Sequence, residues 1–237
     1  MVVKKRQLII WGVNLGLGLV LVLLAWVFGP SLFMEAQYQK QVQQQKSGEP
    51  TIGFGALMYA TPTMEETVGS AVQPGQGFGE MVAQTGRSAI IPISTDFGIV
   101  IPKIFANVAV TENVNPAEKT VYQQVLRSAG GVAHAAGSAV PGESGTTYIF
   151  GHSTDAGVNV ERFNAVFYLL RKLEIGDEIN VYYQGKEFKY AVSEKKTVDP
   201  TDISDIINVV NEERLVLQTC WPPGTTWKRL LIIAKPV

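Results

Sequence analysis

The sequence is short of the residues that build covalent or metal-bound frameworks. It has one cysteine and two histidines in 237 residues. A single cysteine excludes an internal disulfide. No zinc-type ligand spacing and no glycine-rich phosphate-cradling motif is present. Charge is also sparse, at 17% of residues with a net of −1. Phosphate binding needs concentrated Lys and Arg, so this balance argues against nucleic acid as a main partner. The carboxylates Glu112, Glu118, Asp155, Asp199, Asp202 and Asp205 are scattered. They could include a calcium site, but no loop carries regular ligand spacing. No cofactor is therefore expected, and no internal repeat is evident.

One long apolar run is present. Lys4, Lys5 and Arg6 precede an uncharged stretch from Gln7 to Gly29, dominated by Leu, Val, Ile, Gly and Trp. About 20 apolar residues cross a bilayer core as a helix. The basic cluster assigns the N-terminal side to the cytoplasm, and Trp11 and Trp26 sit towards the two ends as interfacial residues would. A cleaved signal peptide is the alternative. The run exceeds the roughly 7–15 residues of a signal core, and no small-x-small site is evident near Gly29-Pro30-Ser31. The expected layout is a basic segment at 1–6, a membrane-spanning helix at 7–29 and a stalk or linker at 30–89. A single folded domain follows at 90–237, outside the cell. Residues 31–46 are good helix formers that could continue the anchor outward. From Ser47 to Ser88 the chain is rich in Gly, Thr, Gln, Pro and Ser, as flexible connectors are.

The domain reads as mainly β. Strands are expected at 99–101 and 104–110, 146–151, 178–183, 187–193, 215–220 and 229–234. Gln184-Gly185 turns one hairpin. A helix opens at Asn115, with Pro116 in its first position and Glu118 three residues after the cap, and ends at Gly130-Gly131. A second short helix is expected at 164–173, and one helical turn at 202–207. Many short strands with few helices favour a closed barrel or a sandwich, which leaves little exposed edge.

A lone thiol in an exported chain is either a small buried hydrophobe or a chemical group. Cys220 ends its strand just before Trp221-Pro222-Pro223-Gly224, which no strand continues through, so its sulfur can sit at a rim. Gln218 lies on the same strand face by period two. His152 follows a strand and a glycine. It is a candidate to lower the thiol pKa and carry a proton, or else a capping loop residue. Arg229 opens the last strand and either faces a cleft, where it could hold an oxyanion, or stands on an exposed rim. His134 lies in a small-residue loop, Gly131 to Gly137, and reads as structural or as a rim residue.

These residues resemble the sortase family, membrane-anchored cysteine transpeptidases of Gram-positive-type cell surfaces. Gly131-Val132-Ala133-His134, Pro141-Gly142-Glu143 and Ile149-Phe150-Gly151-His152 resemble the family's approach to its catalytic histidine. Gly176-Asp177-Glu178-Ile179 resembles its "GD-x-I" strand entry, and Val216-Leu217-Gln218-Thr219-Cys220 its T-L-x-T-C signature. Arg229 matches the family arginine. Val216 departs from the usual threonine, which bears on subclass. No lid motif of the pilus-building kind is evident before residue 90, which disfavours a pilin polymerase.

The resemblance implies an eight-stranded closed β-barrel with two or three short helices. It implies catalysis by His152, Cys220 and Arg229, with Thr219, Gln218 and His134 as substrate-contacting candidates. Partners would be surface proteins bearing an LPxTG-like C-terminal sorting signal, with a peptidoglycan precursor or pilin-like amine as acceptor. A hydrolase with the same trio, or an idle binding scaffold, are the alternatives.

Overall fold

The computed structural model describes residues 2–47, 90–127, 131–153, 166–223 and 225–237. The expected stalk from Ser47 to Ser88 lies almost wholly outside the described residues.

Nine strands form one sheet: β1 (Phe97–Ile101), β2 (Ala106–Ala109), β3 (Thr111–Val114), β4 (Val132–Ala135), β5 (Gly145–Gly151), β6 (Glu178–Tyr183), β7 (Lys186–Val198), β8 (Glu213–Trp221) and β9 (Lys228–Pro236). Their order is β2-β1-β6-β7-β9-β8-β5-β4-β3. The sheet rolls into a nearly closed barrel, and side chains from its two ends meet. The Phe97 ring of β1 lies 5.4 Å from the His134 ring of β4, and Tyr183 of β6 donates a hydrogen bond to Glu112 of β3 at 2.9 Å. Among the described residues the barrel has nine strands, not eight. Thr111–Val114 exposes three of its four residues, so no apolar alternation marks it as a strand. It forms by pairing parallel to β4.

Period-two alternation separates two apolar clusters. Ile149, Leu215, Leu217, Leu230 and Ile232 point into the barrel with Ile99, Phe167 and Tyr190. Tyr148, Phe150, Val216, Leu231 and Ile233 point outwards. There they pack with Leu126 of α2 (Lys119–Arg127), and Ile206 of α3 (Ser204–Ile207) covers the same cluster. The site is built on this outer face.

The 3-10 helix Val166–Lys172 plugs one side of the barrel with five buried residues. It also receives the N-terminal helix α1 (Val2–Ser47), which runs unbroken through the long apolar stretch. Arg171 and Lys172 both pair with Glu35. Tyr38 meets Phe105 edge-on at 6.1 Å, and the Lys172 ammonium lies 5.3 Å from the Tyr38 ring centroid. The beginning of the expected connector therefore docks on the domain. Among the described residues, no helix is long and apolar enough to cross a membrane.

Candidate active site

Three neighbouring strands carry the site. In the parallel β5–β8 ladder, Tyr148 stands opposite Val216 and Phe150 opposite Gln218. The pairing stops there and β5 ends at Gly151; the same offset carried two residues further would bring His152 level with Cys220, and both line one cleft. On the other side of β8, Cys220 pairs directly with Arg229 in the antiparallel β8–β9 ladder. Residues level with one another on adjacent strands share a sheet face and stand about 4.8 Å apart across the ladder. Cys220 and Arg229 thus stand side by side, and the β5–β8 offset continued past Gly151 adds His152 to make one transverse row with the thiol in the middle.

Local packing holds that row. Thr219 points the opposite way from Cys220, and its hydroxyl donates to the Gly151 carbonyl at 3.0 Å, tying β8 to the end of β5. A side chain at Gly151 would bring a Cβ within 3.0 Å of the Phe167 ring and 3.1 Å of the Gly131 carbonyl. Glycine before His152 lets the strand lie this close to the 3-10 helix. The Arg229 guanidinium donates to the carbonyls of Thr226 and Lys228, both at 3.1 Å, which fixes it against the turn into β9.

The row lines a cleft of about 630 Å³. Tyr148, Phe150 and Gln218 form its floor beside Cys220. Tyr122 and Leu126 of α2 form one wall, and Ile203, Ile206 and Ile207 at α3 form the other. The α3 wall is pinned from below. Asp205 pairs with Lys196 of β7 at 2.6 Å, and Arg214 donates to the Asp205 carbonyl and to Thr146 Oγ1 at 2.6 and 2.8 Å. Burial pushes the Tyr148 phenol well above the ordinary tyrosine range. Nearby Arg229 opposes that shift, Cys220 adds to it, and the neighbouring Gln218 amide opposes it. The hydroxyl stays protonated throughout the working pH range.

The structure brings His152, Cys220, Arg229, Gln218 and Thr219 to this one cleft. It does not bring His134. That residue is on β4 rather than in a loop, is 3% exposed, and shares the Phe97 contact that closes the barrel. Its Nε2 bonds with the Ala139 carbonyl at 3.0 Å and with Ser138 Oγ at 2.8 Å. As a substrate-contacting candidate it is corrected to a structural one, because a ring committed to the barrel interior cannot reach the outer face. Tyr148 is the cleft residue the sequence reading passed over. The usable signal was period two: 148, 150 and 152 share one face of β5. Among the described residues, no group of three His, Cys, Asp or Glu side chains is placed to hold a metal ion.

A family model for the sortase domain matches residues 99–237, more than half of the chain. The chain belongs to the sortase family. A curated relative, sortase D of Bacillus subtilis (strain 168), is 30% identical over 140 residues. That match covers 58% of this chain and 61% of the relative, so the chain spans less than two thirds of the relative's length. Among solved structures, sortase C1 from Streptococcus agalactiae is 26% identical with a TM-score of 0.50, covering 70% of this chain and 79% of that one. Sortase A from Corynebacterium diphtheriae, a lid mutant, is 25% identical with a TM-score of 0.49, over 70% and 82% of the two chains. The matched sortase region contains every residue of the transverse row.

Proposed function

We propose that this sortase-family chain is a membrane-anchored cysteine transpeptidase. It would cleave an LPxTG-like C-terminal sorting signal and transfer the freed carboxyl end to an amine of the cell envelope. The observation that carries this reading is the one cleft lined by His152 just after β5, Cys220 on β8 and Arg229 on β9, with Cys220 and Arg229 paired side by side.

The Cys220 sulfur attacks the carbonyl carbon of a threonine-like residue. Arg229 stabilises the oxyanion that forms, by charge and by hydrogen bonding in a partly desolvated site. The C–N bond then breaks, and the leaving amine takes a proton from His152. A thioester to Cys220 remains. An incoming amine attacks that thioester, gives its surplus proton to His152, and expels the thiolate as the C–S bond breaks. The acceptor would be a peptidoglycan precursor or a pilin-like protein. The mostly apolar walls suit an extended peptide that excludes water around the thioester.

The anchor belongs to the same reading. Helix α1 carries the uncharged run Gln7–Gly29, and its Trp11, Val13, Leu15, Leu17 and Leu21 are exposed, as lipid-facing residues would be. Membrane placement puts the cleft in the same plane as lipid-linked acceptors and emerging substrates, which raises their effective concentration. The location is the cell membrane, single-pass, with the N-terminus cytoplasmic.

The test is product analysis of the full chain in detergent with an LPxTG-type peptide, with and without an added amine such as triglycine. A transpeptidase gives the amide-linked adduct as the main product when amine is present. Hydrolysed peptide alone, at a rate indifferent to amine, would instead establish the hydrolase.

A further inference from the structure

Tyr148 and Gln218 share the cleft with the catalytic row but stand outside it. Gln218 faces the same way as Cys220, two residues earlier on β8. Tyr148 lies on β5 opposite Val216, one further step back. Both side chains line the same cleft, on adjacent strands and on one sheet face. The Tyr148 ring stacks on Phe150 with centroids 5.6 Å apart and planes at 26°, and Tyr122 meets Phe150 edge-on at 6.5 Å. That aromatic packing fixes where the hydroxyl points. Tyr148 is only 6% exposed.

A hydroxyl and a carboxamide on an otherwise apolar floor carry a desolvation cost until polar partners reach them. Together they hold three donor hydrogens and several acceptor lone pairs. A peptide group needs both a donor and an acceptor, and the pair presents both.

Spacing says which peptide group. Two residues along β8 measure about 6.6 Å. An extended peptide advances about 3.3–3.6 Å per residue. A substrate lying along β8 with one carbonyl at Cys220 therefore puts a peptide group roughly two residues away over Gln218.

We propose that Tyr148 and Gln218 act as one polar contact that hydrogen-bonds a main-chain peptide group of the bound substrate, roughly two residues from the carbonyl attacked by Cys220. The assignment rests on the transpeptidase reading. The contact is made in the ground state as well as during reaction, so it sets affinity and peptide register rather than the rate of the chemical step.

The experiment uses the full chain in detergent with Tyr148→Phe, Gln218→Met and the double substitution. Binding of a fluorescent LPxTG-type peptide is measured in a Cys220→Ala background, and turnover and iodoacetamide alkylation in the intact-cysteine background. Each single change is expected to weaken binding about 2- to 10-fold, as loss of one hydrogen bond does. The double change should weaken it little more than the worse single one, because the two act as a unit. The kcat should stay within about twofold, and the alkylation rate of Cys220 should not move. Unchanged affinity in both single variants, alongside normal turnover by the unsubstituted chain, would overturn this assignment alone. So would a fall in kcat with altered alkylation, which would place Tyr148 in thiol chemistry. A chain that neither binds nor turns over any such peptide would overturn the transpeptidase reading and this assignment together.

Discussion

Cys220 pairs directly with Arg229, one strand spacing away, and shares one cleft with His152. Folding, rather than closeness in sequence, brings the three together. His152 lies 68 residues upstream of Cys220, just past the end of β5, whose ladder with β8 keeps that same offset up to Phe150 and Gln218. Arg229 is held by two carbonyls of its own turn, at Thr226 and Lys228, so its planar group is oriented before substrate arrives. A lysine there keeps the charge but loses the fork that satisfies those carbonyls while reaching into the cleft. Arg229→Lys should therefore lower kcat/KM about 10²-fold with little change in Tm. Steady-state kinetics on an LPxTG-type peptide would check this. Near-normal turnover would remove Arg229 from oxyanion stabilisation.

At the level of elements, strands whose residues alternate or run apolar were readable, and strands made by pairing alone were not. Glu178–Tyr183, Leu215–Cys220 and Arg229–Ala234 carry enough Val, Ile, Leu and Tyr to stand out, and each is found within a residue or two of its expected bounds. Val132–Ala135 is small-residue sequence that reads as a loop, yet all four residues are buried because β5 and β3 flank it. The charged end of β7, Glu194 to Lys196, reads as a solvated face. It is strand because it pairs with β9 after a register shift at Val192 and Glu194. The expected cap at Asn115 is not one: its Oδ1 accepts from Ala117 N at 3.0 Å in the turn before the helix, and regular helix begins only at Lys119. That His152, Cys220 and Arg229 would share one cleft was legible because rare residues sit at strand ends. His134 misled because a buried histidine and a rim histidine look alike in sequence.

The docking of α1 could not be read, because its partners, Arg171 and Lys172, are far away in the chain. It makes a pH prediction. Burial alone would raise the Glu35 pKa, but hydrogen bonds from Lys172, Gln39 and Arg171 outweigh it and bring it down from 4.5 to about 2. A carboxylate with a lowered folded pKa adds stability above its unfolded value, and that stability is lost as pH falls towards the folded one. Glu35→Gln should lower Tm at pH 7, and the gap from the unsubstituted chain should close between about pH 4.5 and 2. Thermal melts of both proteins across that range measure it. A gap that is constant with pH, or missing at pH 7, would contradict the docking contact.

For the whole molecule, the helix, the barrel and the cleft form one connected assembly. Glu35, where α1 first grips the barrel, lies six positions beyond Gly29. At about 1.5 Å per residue, that is a rise of about 9 Å. If the proposed anchor Gln7–Gly29 lies in a bilayer, this short rise keeps the barrel close to the membrane surface rather than on a long tether. The account rests on Cys220 forming a thioester with its substrate. The most direct test is intact mass of the full chain in detergent, incubated with LPxTG-type peptides, comparing the unsubstituted protein with Cys220→Ala. A mass increase equal to the acyl portion of the peptide, present only where Cys220 is present, is the result expected. An adduct that persists in Cys220→Ala, or none with any peptide while the folded protein turns it over, would contradict the account.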